Sequence, residues 1–128
     1  MQLQWAKAAG NEWCLLEEVD LGRLGHHGVF IIWRNGNAAE APAILYVGRG
    51  PLRRQLAECQ RNPLFRSSPG LRVTWANVDN PGDLDAIATY LYRRLHPTWG
   101  EVLAVPQPMA VNLPLTTEAR ATPRAGDS

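Results

Sequence analysis

Two apolar patterns alternate along the chain. Gly28–Arg34 (GVFIIWR) is almost continuous in β-branched and aromatic residues and predicts a buried strand. Asn35-Gly36 is a hairpin signal, and Asn37–Pro42 lengthens the turn into a loop. Ala43–Arg49 (AILYVGR) reads as the returning strand, ended by Gly48 and Gly50. The period then changes. Leu52, Leu56 and Cys59 fall on one face of a helix predicted over Pro51–Arg61, and Asn62-Pro63 stops it. Leu64–Gly70 reads as a loop, and Leu71–Val78 alternates as a third strand. A second helix is predicted over Pro81–His96. Asn80 is its cap, Asp83 lies in its first turn, and Leu84, Ile87, Leu91 and Leu95 form its buried stripe.

These elements predict an α/β (α+β) fold: a small, three-stranded, mostly antiparallel sheet flanked by helices. Residues 1–115 are expected to form one domain, with a core at 28–100 and a lead-in over 1–27. The acidic and apolar mixture of that lead-in fits either a strand or a helical turn. EVLAVP (Glu101–Pro106) is a candidate short strand. From Thr116 the composition turns small and polar, so 116–128 is expected to be a flexible tail.

Composition adds little about partners. The chain has 128 residues, 45% of them hydrophobic and 20% charged, which suits one globular core. A formal net charge of +1 names no ligand. The positive charge comes from twelve arginines and the single lysine Lys7, a bias that genome composition explains as well as function does. No apolar run is long enough to span a membrane, and no signal-peptide pattern opens the chain. With no C-x-x-C spacing, Cys14 and Cys59 read as free thiols of a cytoplasmic protein. His26, His27 and His96 lack the spacing of a zinc site.

The order of motifs carries a resemblance. GVF opens one strand and YVG closes its partner. A Leu-Arg-Arg helix follows, then a strand, then a helix ending LYRRLHP. Over Gly28–Gly100 this resembles the GIY-YIG nuclease family. Trp13–Leu16 (W-x-L-L) and Val111–Leu115 (VNLPL) resemble the flanks of its small stand-alone members. The family hydrolyses phosphodiesters with a divalent metal, so the resemblance implies magnesium or manganese if the protein is active and no cofactor otherwise.

Most of the implied catalytic set is replaced. The second-motif Tyr is present as Tyr46, and the basic residue after it as Arg49. The first-motif Tyr is Phe30, which lacks the hydroxyl. Gln55 stands where the helix Arg is expected, and Cys59 where a basic or imidazole residue is common. Ala88 falls nine residues before Pro97, at the place of the metal-binding Glu. Gly100 takes the place of a bracing Asn. No metal ligand is therefore expected, the alternative being Asp85, one helical turn before Ala88 and about 5 Å short of it along the axis.

Arg49, Arg53, Arg54, Arg61, Arg66 and Arg72 share a stretch whose one acid is Glu58. They read either as a phosphate-binding surface or as a solvated face with an Arg54–Glu58 pair. The five tryptophans are candidate base-stacking groups, although Trp33 and Trp75, on strands, read as packing. Three functions stay open: a nuclease-like domain that binds nucleic acid without cutting, a protein-interaction module on the same fold, and a nuclease with a rearranged site.

Overall fold

The computed structural model describes residues 2–8, 10, 12–36, 42–68, 70–99 and 108–114. A four-stranded antiparallel sheet is built from β1 (Cys14–Leu15), β2 (His27–Arg34), β3 (Ala43–Pro51) and β4 (Arg72–Asn77). Their spatial order is β1-β4-β2-β3. The helices are α1 (Leu52–Arg61), α2 (Pro63–Arg66) and α3 (Leu84–Leu95).

β2 is the middle of this arrangement. It pairs with β3 from His27↔Pro51 to Arg34↔Ala43, and with β4 from Gly28↔Asn77 to Trp33↔Arg72. Its side chains are buried on both faces. Val29, Ile31 and Trp33 pack with Leu84, Ile87, Leu91 and Leu95 of α3. Phe30 and Ile32 pack with Leu52, Leu56 and Cys59 of α1. Period-2 alternation in the strand thus meets the apolar stripe of a different helix on each face. Each such large side chain contributes about 1.5–3 kcal/mol by leaving water. A register shift between Ile32 and Trp33 sets Leu45 and Tyr46 together on the α1 side of β3, while Ile44 and Val47 face α3.

The sheet has one strand more than the three expected. Cys14–Leu15 pairs with Val73 and Arg72 at the β4 edge. The lead-in, for which strand and helical turn were both open, forms both: β1 runs into 3-10 turns at Leu16–Glu18 and Leu21–Arg23. Two boundaries also differ. β3 runs through Gly48 and Gly50 to Pro51, so α1 starts at Leu52. Part of the expected Leu64–Gly70 loop is the single turn α2, capped by Asn62, whose Oδ1 accepts from the Leu64 amide at 2.9 Å. A third boundary differs: α3 starts at Leu84 rather than at Pro81, although Asn80 is a cap as expected. Asn80 Oδ1 accepts from the Gly82 amide at 2.9 Å, and Pro81–Asp83 form a 3-10 turn ahead of the helix. His96 ends α3 in a left-handed conformation, with φ 52°. Gly100, Glu101–Pro106, most of the hairpin loop and the tail from Thr116 lie outside the described residues. Among the described residues no helix is long and apolar enough to cross a membrane.

Asn112 joins the two ends of the described chain. Its Oδ1 accepts from the Leu3 amide at 2.5 Å and its Nδ2 donates to the Leu3 carbonyl at 3.0 Å. Its own carbonyl accepts from Trp5 Nε1 at 2.9 Å. Leu3 and Val111 reach the α3-side core beside this clasp. Asn112→Ala removes both side-chain bonds and leaves a part-buried amide and carbonyl unpaired. We expect it to lower the unfolding free energy by about 1–3 kcal/mol in urea titration. A change below about 0.5 kcal/mol, the range of ordinary surface substitutions, would show that the clasp is not a stabilising contact.

Candidate functional site

Three pieces of chain meet at the end of β3. The strand supplies Tyr46, Arg49, Gly50 and Pro51, α1 supplies Gln55, and the turn leading into α3 and its first residues supply Pro81, Gly82, Leu84 and Asp85. Together they line an open cleft of about 640 Å³. Hairpin pairing delivers Tyr46 and Arg49 to this end. Gly50 then turns the chain at φ +120°, a conformation that side chains rarely adopt, with Gln55 close above it. A second glycine makes room for the core behind the cleft: a Cβ on Gly48 would stand 2.2 Å from Phe30 Cζ.

Tyr46 is half-buried and belongs to a run of rings. Its centroid is 5.7 Å from that of Phe30 and 6.0 Å from that of Phe65, and Phe65 lies 5.4 Å from Trp99. The segment after α3 fixes Trp99 there. Its amide donates to the Leu45 carbonyl at 2.7 Å, and the Thr98 amide donates to the Ile44 carbonyl at 3.0 Å. A smaller groove of about 170 Å³ continues from the cleft past Gln55 and Tyr46 to Leu64, Phe65 and Trp99.

Arg49 spans the cleft and forms an ion pair with Asp85, its Nε donating to Oδ1. Ala88, one turn further along α3, is 5% exposed and packs in the core cluster of that face. Phe30 is fully buried. The positions that the resemblance assigns to a metal carboxylate and a phosphate-binding Arg therefore hold a buried methyl and the neutral amide of Gln55. The residues present do not fit a divalent metal at Ala88. At Asp85 a carboxylate is already paired with a cation. Among the described residues no three His, Cys, Asp or Glu side chains form a group able to hold a metal ion.

No protein-family model, curated protein or solved structure matches the chain.

The six arginines do not gather in one place. Arg49 lines the cleft. Arg53, Arg54 and Arg61 are exposed on α1, Arg53 Nε also donating to the Leu21 carbonyl at 3.2 Å. Arg54 and Arg61 are seven residues apart and so share one stripe of the helix. Arg66 lines a different cavity, beside Glu17 and Ser68. Arg72 lies on β4, paired with both β1 and β2 and away from the cleft, where its Nη1 donates to the Trp13 carbonyl at 2.8 Å and its Nε is buried. The alternative Arg54–Glu58 pair is not among the ion pairs of the described residues. Trp33 is 1% exposed, donates to Asn35 Oδ1 at 3.0 Å and packs edge-on against Trp13, so its role is packing. Sequence reading missed the Arg49–Asp85 pair and the wall formed by Pro81 and Gly82. The one signal for either was Asp85 itself, an acid one turn from the expected metal position.

Cys59 is 7% exposed against the α1-side core. Burial pushes its thiol up from the ordinary 9.0 to about 12, with a further push from the Glu58 carboxylate. Between those two values the folded form holds a proton that the unfolded form has lost. Stability is therefore whole below about pH 9 and declines as pH rises toward 12. The decline is limited to about 1.4 kcal/mol per pH unit. Denaturant melts across this range should show a steeper alkaline loss for the unmodified protein than for Cys59→Ala. Equal slopes would contradict a buried, protonated thiol.

Proposed function

We propose that this protein is a GIY-YIG-like domain that binds nucleic acid without cutting it. The observation that carries this reading is the composition of one cleft. Tyr46 and Arg49 face it, while Ala88, at the place of the expected metal carboxylate, is buried in the core. Such a site retains a cation and a ring for a nucleic-acid strand and lacks the ligand that would activate water on a metal. The exposed Arg53, Arg54 and Arg61 of α1 lie outside the cleft lining, and in this reading they offer further cations to a strand that runs along the helix. Arg66 and Arg72 lie apart from this surface and are left out of it.

A second reading, as a protein-interaction module, draws support from the smaller groove. Leu64, which lines it beside Phe65 and Trp99, is 54% exposed and offers an apolar contact there.

The salt dependence of binding separates the two. Arg49, Arg53, Arg54 and Arg61 allow about three to four phosphate contacts, so duplex affinity should fall with a log–log slope of roughly −2.5 to −3.5. Arg53→Ala with Arg54→Ala should flatten that slope by about one to two units. Arg72→Ala should leave the slope unchanged and lower stability instead. Binding that is undetectable at ~50 mM salt, or indifferent to salt, would contradict the nucleic-acid reading and favour the protein-interaction module.

A further inference from the structure

Arg49 and Asp85 stand 36 positions apart in sequence and meet across the mouth of the cleft. Arg49 projects from the end of β3, and Asp85 from the first turn of α3. Their side chains are 32% and 61% exposed, so solvent screens the pair. An ion pair in that setting shifts an equilibrium by a factor of only roughly 1.5 to 5. It holds the guanidinium in place without locking it.

A carboxylate and a phosphodiester present the same face to a guanidinium: two oxygens sharing one negative charge, suited to paired N–H donors. The cleft supplies one cation, Arg49, and the neutral side chains of Tyr46 and Gln55 beside it. One positive charge matches the single charge of an internal phosphodiester. A phosphate that pairs side-on with the guanidinium uses Nε and one Nη, so it cannot bind in that way while Asp85 holds Nε.

We infer that Asp85 is a built-in competitor for the anion subsite at Arg49, displaced when an internal phosphodiester of a nucleic-acid strand enters the cleft. This inference rests on the nucleic-acid reading given above. Asp85 then lowers the affinity of any anion for this subsite by about that factor of 1.5 to 5, a loss that a strand with further contacts to the exposed arginines of α1 offsets.

The test is a double-mutant cycle on the full chain. Its probe is a short fluorescein-labelled oligothymidylate with hydroxyl ends, so that every phosphate it offers is internal. Fluorescence anisotropy at low salt gives the affinities. Asp85→Asn should tighten binding roughly 1.5- to 5-fold and steepen the log–log salt slope by up to about 0.7. Arg49→Gln should weaken binding, and in that background Asp85→Asn should change nothing. Thermal melts of each variant check that the fold is retained. An equal gain from Asp85→Asn with and without Arg49 would overturn the inference, because the effect would then be general removal of negative charge. Salt-sensitive binding that Asp85→Asn leaves unaltered would also overturn it while the nucleic-acid reading stands. Failure of every variant to bind, Asp85→Asn included, would overturn both.

Discussion

Phe30, Ile31, Ile32 and Trp33 are between 0% and 1% exposed on a strand that is hydrogen-bonded along both edges. Such a strand needs apolar cover on both faces of the sheet. α1 provides it on one side and α3 on the other. The chain enters α1 directly from β3 at Pro51, and it reaches α3 through the turn at Pro81–Asp83. The first turns of the two helices border the end of β3, and the cleft is the space left between them. Covering β2 thus places Arg49, Gln55 and Asp85 around one opening outside the core, with Tyr46 packed against the core beside them.

The same packing bears on the chemistry. Ala88 shares its core cluster with Val29, Ile31 and Ile87. A carboxylate at this position would need a metal or another partner to offset its loss of water. A methyl needs none, and it completes the apolar stripe of α3. On the other face, Phe30 fills the space that Gly48 leaves by having no side chain. A hydroxyl on that buried ring would need a hydrogen-bond partner. In the reading proposed here, the domain has exchanged two costly polar positions for packing and kept the charged residues at the rim.

Much of this was legible from sequence because it is local. The apolar run of β2, the hairpin to β3 and the stripes of α1 and α3 follow from short-range periodicity. Asn80 announces its turn by residue type, whereas Asn62 read as a helix stop and not as the cap of α2. β1 is only two residues long, too short for any period to register, and it forms because β4 offers an edge. The arginines mislead for a physical reason. Positions close in sequence diverge in space once a helix, a turn and a strand separate them, so Arg66 and Arg72 leave the surface that Arg54 and Arg61 share. The Arg49–Asp85 pair and the Asn112 clasp depend on tertiary contacts across 36 and 109 positions, beyond the reach of a local pattern.

The central claim is that this cleft can hold a phosphodiester and cannot hydrolyse it. Incubation of supercoiled plasmid with the purified protein and magnesium or manganese tests it most directly. Loss of one preorganised stabiliser commonly costs ~10²–10³ in rate, and two losses within one site need not multiply. Either one is enough to bring cleavage near background, so no nicking is expected beyond a control without protein. Metal-dependent nicking that Asp85→Ala abolishes would contradict the claim, and would make Asp85 the metal ligand of a working nuclease.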